Sequence, residues 1–179
     1  MSEISPLPSD NEVIKEVRDW DIDRGNNDAN FLLARAAFML FAHEITDYSE
    51  YRALGAEEKW VNGYMAEQCE NREAFGPNVS RVFIATKNNQ VIGAMELMKS
   101  GVIDTPATYI LRHVAVDSNH QKNGVGSRLL KHAEEVALTD DTKKITLSGE
   151  NDVRKFYEEN DYKITDLEYG AFDAEKQLS

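Results

Sequence analysis

Residues 114–130 read VAVDSNHQKNGVGSRLL, a run that begins as a β-strand at Val114, Ala115 and Val116, breaks over Asp117 to Asn123, and continues from Val125 as a helix. Gly124 and Gly126 stand at the junction. Glycine lets successive backbone N–H groups approach a ligand closely, and a helix start adds about half a positive charge from its unpaired amides. A strand, a glycine turn and a helix start therefore make an anion site, with pyrophosphate as its natural occupant. The charge distribution agrees. Ser118 to His132 holds Lys122, Arg128 and Lys131 and no acid, in a chain whose 20 Lys and Arg stand against 32 Asp and Glu, a net charge of −12. A Walker loop needs Gly-Lys followed by Ser or Thr, and a dinucleotide fingerprint needs glycine where Leu129 stands, so ATP and NAD are disfavoured. Two glycines before a helix also occur in ordinary strand-to-helix turns.

Outward from this run, Val125, Leu129, Leu130, Ala133, Val136 and Ala137 share one helix face. Upstream, Tyr109 to Val116 is a strand, preceded by a hairpin of Val82 to Thr86 and Val91 to Met98 turning at Lys87 to Gln90. Earlier still come two helices. The first is capped by Asp28, runs to about Glu44 and is apolar almost all round; the second spans about Ala56 to Glu70. Val13, Ile14, Val17 and Trp20 mark a first strand, and residues 1–10 read as a loose tail. Downstream, Ile145 to Leu147 is a short strand, Val153, Phe156 and Tyr157 lie on a short helix, and Tyr162 to Leu167 alternates as a further strand. This order predicts an α/β fold with helices on the faces of a sheet.

Composition narrows the function classes. One chain of 179 residues with 41% hydrophobic residues can bury a core without staples. The single Cys69 allows no internal disulfide and fits a reducing compartment. His43, His120 and His132 lack metal-ligand spacing, so no metal is expected. The acidic balance argues against non-specific nucleic-acid binding or an anionic membrane surface and favours cationic partners such as amines. Phe31 to Ala42 is interrupted by Arg35 and falls short of the roughly 20 residues of a membrane span. The N-terminus carries Pro6 and Pro8 and no signal-like segment, so a cytoplasmic location is expected.

Gln121 to Gly126, QKNGVG, follows the pattern Gln or Arg, two residues, Gly, one residue, Gly or Ala. Phe156-Tyr157 followed by Tyr162 gives a Phe-Tyr pair on a short helix that ends before an aromatic residue. In these residues the chain resembles the GNAT family of acyl-CoA-dependent N-acyltransferases, from about Arg81 to Leu167, with the two preceding helices in the family's order. Departures from the pattern are local. Val153 stands where a small residue is usual, Glu150 where the family has Asn, with Asn151 one place later, and Asp161 replaces a glycine, so that Asn160 is expected to take the left-handed helix stop. Only 17 residues follow Tyr162, and Phe172 to Leu178 reads as a polar strand. Three alternatives stay open for the last strand: missing, replaced by a tail, or supplied by a partner chain in a homodimer.

The resemblance implies one acetyltransferase-like domain over residues 11–179: a first strand and two acceptor-side helices in 11–80, an acyl-CoA-binding core in 81–167 and a C-terminal segment in 168–179. Its sheet is mixed and mostly antiparallel, of about six to seven strands, flanked by about four helices. The implied cofactor is acetyl-CoA. Its pyrophosphate lies on the backbone of Gln121, Lys122, Asn123, Gly124, Val125, Gly126 and Ser127, its pantetheine arm lies along Val114, Ala115 and Val116, and Arg128, Asn151 and Lys155 are further cofactor contacts. The Val116 amide would polarise the thioester carbonyl and Tyr157 would be the general acid. Glu96 is the first candidate base and His113 the second, each with a plain packing role as the alternative. Asp47, Tyr48, Glu50 and Tyr51 cluster on the acceptor side and suit a cationic amine. The implied activity is direct acetyl transfer to a primary amine of a small molecule or protein, without a covalent enzyme intermediate. A catalytically inactive acyl-CoA-binding module is the second reading, and a structural domain without cofactor is the third.

Overall fold

The computed structural model describes residues 12–18, 20, 28–46, 56–76, 79–100, 108–140 and 142–179. Val13–Val17 (β1), Ser80–Lys87 (β2), Gln90–Lys99 (β3), Thr108–Val116 (β4), Lys144–Glu150 (β5), Lys163–Asp166 (β6) and Ala171–Gln177 (β7) form a seven-stranded sheet in the order β1-β2-β3-β4-β5-β7-β6. Only β4 and β5 run parallel; every other neighbouring pair is antiparallel. Four helices accompany it: Ala29–Thr46 (α1), Ala56–Phe75 (α2), Val125–Thr139 (α3) and Arg154–Glu158 (α4). This is the α/β fold that the element order predicts, with the mixed, mostly antiparallel sheet that the resemblance implies.

Local chemistry accounts for the elements. Asp28 caps α1, its Oδ1 accepting from the amides of Asn30 at 2.8 Å and Phe31 at 3.1 Å. The β2–β3 hairpin turns on Asn88 and Asn89, both with positive φ, as a two-residue turn matched to strand twist requires. Strand β2 is buried on both faces. Val82 and Ile84 pack under α1 and α2 with Phe38, Phe41 and Met65, while Phe83 and Ala85 pack on the other side with Leu129 and Leu130 of α3. Helix α2 extends past the expected Glu70 to Phe75, because Arg72 in its last turn lies over the Trp20 ring at 5.0 Å and donates to the Trp20 carbonyl at 3.3 Å. Among the described residues no helix is long and apolar enough to cross a membrane.

Two sequence expectations change at the C-terminal end. The last strand is present and belongs to this chain: β7 lies between β5 and β6 and pairs with β5 over its whole length. Its sequence, AFDAEKQ, alternates, with Phe172 and Ala174 buried on the α3 side and Asp173 and Glu175 on the opposite face. Asp173 accepts from Ser148 at 2.6 Å and Glu175 meets Lys144 at 3.3 Å, so its polar side is satisfied by cross-strand partners. Pairing with β7 also lengthens β5 beyond Ile145 to Leu147. The left-handed stop after α4 is Asp161, with φ +66°, rather than Asn160. Asn160 instead donates its Nδ2 to the Phe156 carbonyl at 2.7 Å, and a short acidic side chain tolerates the left-handed region. Val153 precedes α4 rather than lying on it.

A buried ion network joins the first strands to α3. Arg81, 4% exposed, donates from Nε and Nη2 to Glu16 at 2.8 and 2.7 Å and from Nη1 to Asp140 just past the end of α3. Tyr109 of β4 donates to the same Asp140 oxygen at 2.7 Å.

Candidate active site

Strands β4 and β5 pair only where Thr108 to Ile110 meet Lys144 to Thr146. Beyond that, β4 continues to Val116 against β3, and β5 continues to Glu150 against β7, so the two part and leave a wedge-shaped gap. A bulge helps to open it: Glu96 pairs with His113 but Leu97 with Leu111, leaving Arg112 as an extra residue that bends β4. The Asp117 amide donates to the Ile92 carbonyl of β3 at 2.9 Å. Strand alternation then turns the backbone N–H and C=O of Val116 and Val114 towards the gap. The Val116 carbonyl accepts from the Gln121 side chain at 3.0 Å.

The gap's wide end meets the glycine loop. After Asp117, whose Oδ1 accepts from the Asn119 amide at 2.9 Å, the chain makes a single 3₁₀ turn over Ser118–His120 and enters α3 through Gly124 at φ +74°. The N-cap Gly124 has no side chain to cap α3 and the first turn holds no acid, which leaves the leading amides available to an anion. A Cβ on Gly126 would lie 3.1 Å from the Phe156 ring and 3.8 Å from Val116 Cγ2. That contact brings three sequence-singled segments together: β4, the loop, and the Phe-Tyr pair of α4. Tyr157 is 8% exposed and packs edge-on against Phe156, Tyr162 and Phe172 at centroid distances of 4.9, 5.7 and 6.0 Å.

Other candidates are placed differently. Lys122 is exposed with positive φ, and Asn123 is exposed with its carbonyl accepting from Arg128 Nη1 at 3.0 Å. Val125 is buried in the α3-side core and Ser127 is half-buried. Asn151, at the end of β5, bonds through its backbone to Gly170 of the β6–β7 connection. Lys155 lies on the solvent side of α4 beside Glu159 at 3.5 Å. Asp47, Tyr48, Glu50 and Tyr51 lie outside the described residues.

The two candidate bases form one cluster on the α1–α2 face. Glu96 is fully buried; its Oε2 accepts from the Tyr64 hydroxyl and its Oε1 from the Ser80 hydroxyl, both at 2.6 Å. Burial pushes the Glu96 carboxyl up, against the two hydroxyls that pull it down. His113 Nε2 lies 4.0 Å from Glu96 Oε2, with no hydrogen-bond partner among the described residues. Its ring stacks on Phe41 at 5.1 Å and meets Tyr64 and Trp60 edge-on. Tyr64 falls on the second helix's apolar stripe, and neither it nor Ser80 carries a sequence signal for this contact: the partners are 32 and 16 residues from Glu96.

Burial, reinforced by the Arg112 charge, lowers the His113 pKa to about 4, so the ring is neutral at neutral pH. The folded value lies below the unfolded 6.5, so this group's stabilising contribution is present above pH 6.5 and lost as pH falls towards 4. Urea midpoints of the wild type are therefore expected to decline across that window, and His113→Asn to flatten the decline. Equal slopes in the two proteins would refute the buried neutral state.

A cavity of about 410 Å³ opens on the sheet face that His113 shares, lined by Ile110, Thr146, Ser148, Lys163, Asp173 and Glu175 among others. It lies beside the narrow end of the gap. Among the described residues no three His, Cys, Asp or Glu side chains converge as a metal site.

Comparison with known proteins shows what this geometry is similar to. No curated protein matches the chain. Its fold matches the PaiA N-acetyltransferase of Thermoplasma acidophilum in complex with coenzyme A, at 17% identity and a TM-score of 0.60 over 92% of this chain and 99% of that one. It also matches an aminoglycoside 6′-N-acetyltransferase complexed with coenzyme A, at 16% identity and a TM-score of 0.63 over 93% and 97%. In sequence, residues 78–164 match the acetyltransferase (GNAT) domain family, a stretch that holds β2 to β5, the glycine loop, α3, α4 and the Phe-Tyr pair. The likeness to the acetyltransferase (GNAT) domain family thus rests on residues 78–164, within a fold shared with the two coenzyme A complexes.

Proposed function

We propose that the protein transfers the acetyl group of acetyl-CoA to a primary amine by direct attack, without a covalent enzyme intermediate. The observation that carries this reading is the meeting of the parted β4–β5 edge, the uncapped start of α3 and Phe156 around Gly126. An extended arm fits the gap as an added strand, and a pyrophosphate fits the loop amides of Gln121 to Ser127. Acetyl-CoA bound there supplies an activated acyl group. We place residues 11–179 in one domain, and location in the cytoplasm rests on the single Cys69.

The chain's own residues then divide the work. The Val116 N–H, turned into the gap, donates to the developing oxyanion. Tyr157 holds a phenolic proton for the departing thiolate, since a phenol stays protonated at neutral pH. Glu96 is enclosed and both its oxygens accept from hydroxyls, so the base is the neighbouring His113, whose neutral ring takes the proton of the attacking amine. The cavity beside Ile110 provides room for the acceptor, and Asp173 and Glu175 on its wall favour a cationic one.

Calorimetric titration of the wild type and Gly124→Val with acetyl-CoA, joined to a thiol-release assay over a panel of amines, tests the reading. A β-branched residue at φ +74° is strained by about 1–2 kcal/mol and its Cβ would stand 3.0 Å from Arg128 Nη1, so affinity should fall at least about tenfold. Thiol release confined to one amine class names the acceptor. Equal affinity of the two proteins removes the loop from the cofactor site, and binding without thiol release for any amine removes the enzyme.

A further inference from the structure

Ser118 to His132 contains no acid, yet the fold brings one to it from 116 residues away. Glu12, one residue ahead of β1, meets Arg128 in the first turn of α3 as a two-pronged ion pair, Nε to Oε1 at 2.9 Å and Nη2 to Oε2 at 2.7 Å. The remaining prong, Nη1, donates to the Asn123 carbonyl at 3.0 Å and fixes the guanidinium against the glycine loop. The pair stands on a firm base, because Ile14 of β1 packs into the same core that α3 covers. Lys122 and Lys131, the other cations of the segment, are exposed.

A guanidinium presents its donors as a rigid fork, and a carboxylate and a phosphate compete for the same two-pronged geometry. We propose that Glu12 is a built-in counter-anion at the cofactor loop: it holds Arg128 until a phosphate group competes for it, and so sets the affinity for the phosphate-bearing cofactor. This rests on the cofactor reading above. A phosphate that reaches Arg128 either displaces the carboxylate or shares the fork with a neighbouring negative charge, and both reduce the net gain. The handicap falls equally on acetyl-CoA and on the spent CoA, which carry the same phosphates, so it also hastens product release.

Calorimetric titration of the wild type, Glu12→Gln, Arg128→Gln and the double variant with acetyl-CoA tests this, repeated with the 3′-dephospho form. Glu12→Gln should bind acetyl-CoA about threefold to fivefold more tightly, the scale of an exposed ion pair, with the gain shrinking at high salt. In the Arg128→Gln background the same substitution should change nothing. A gain that persists with the 3′-dephospho form assigns Arg128 to the pyrophosphate, and one that vanishes assigns it to the ribose phosphate. Unchanged or weaker binding by Glu12→Gln, or a gain that survives without Arg128, overturns the proposal while leaving the cofactor site intact. Failure of the wild type to bind acetyl-CoA overturns both.

Discussion

Tyr157→Phe should lower turnover by about a hundredfold or more while changing the affinity for acetyl-CoA by less than about twofold, because the substitution removes a proton donor and keeps the ring. The ring is enclosed by Phe156, Tyr162 and Phe172, and phenylalanine keeps all three edge contacts. Gly126 rests on Phe156 rather than on Tyr157, so the loop that would hold the pyrophosphate is untouched. A drop in kcat with Kd preserved therefore reads as loss of the general acid. Thiol release under saturating amine gives kcat, and calorimetry gives Kd. Full turnover in the variant would reduce Tyr157 to a packed aromatic residue and require the thiolate to take its proton from water.

Arg81→Met should destabilise the fold by roughly 3–5 kcal/mol, the usual penalty for breaking a buried ion pair from one side. Methionine fills much of the same volume, so the loss is one of charge. Among the described residues, Glu16 would keep Arg18, which is largely exposed, and Asp140 the Tyr109 hydroxyl. Urea unfolding with an unchanged m-value reads the effect directly. Adding Asp140→Asn to Arg81→Met should restore part of the loss, because the two sites share one network. Acid pH provides a second readout. Burial alone would raise the Glu16 pKa, but the hydrogen bonds and charges of Arg81 and Arg18 outweigh it and hold the carboxyl below 4.5. A folded pKa below the unfolded one contributes stability that is present above pH 4.5 and lost as pH falls through the folded value. In Arg81→Met that part of the acid dependence should shrink. A loss under 1 kcal/mol would mean that desolvation cancels the pair's attraction.

The element order, the hairpin at Asn88-Asn89, the Asp28 cap and the glycine loop were legible because each rests on neighbours in sequence: a turn, a cap, an amphipathic stripe. Strand β7 was undervalued because only Phe172 and Ala174 carry its apolar signal, and its acids find partners on β5 that no local pattern shows. Asp161 took the left-handed stop because Asn160 had a better use for its amide. The contacts that shape the candidate site are the least legible. Glu96 reads as a strand residue until Tyr64 from α2 and Ser80 from β2 close over it. Arg128 likewise reads as a free cation until the fold delivers Glu12.

The placement of β7 between β5 and β6 has a bearing on biosynthesis. Chains emerge from the ribosome N-terminus first, so β5 and β6 leave before β7, the strand with which both pair. A nascent chain that has reached Asp166 already holds the glycine loop and the Phe-Tyr pair, yet β5 still presents a naked rim along Lys144 to Glu150. Such a rim is a template for any passing strand, including one from a neighbouring copy on the same message. Until Ala171 to Gln177 settles against it that rim stays open, so the docking of the last strand guards the chain against mispairing.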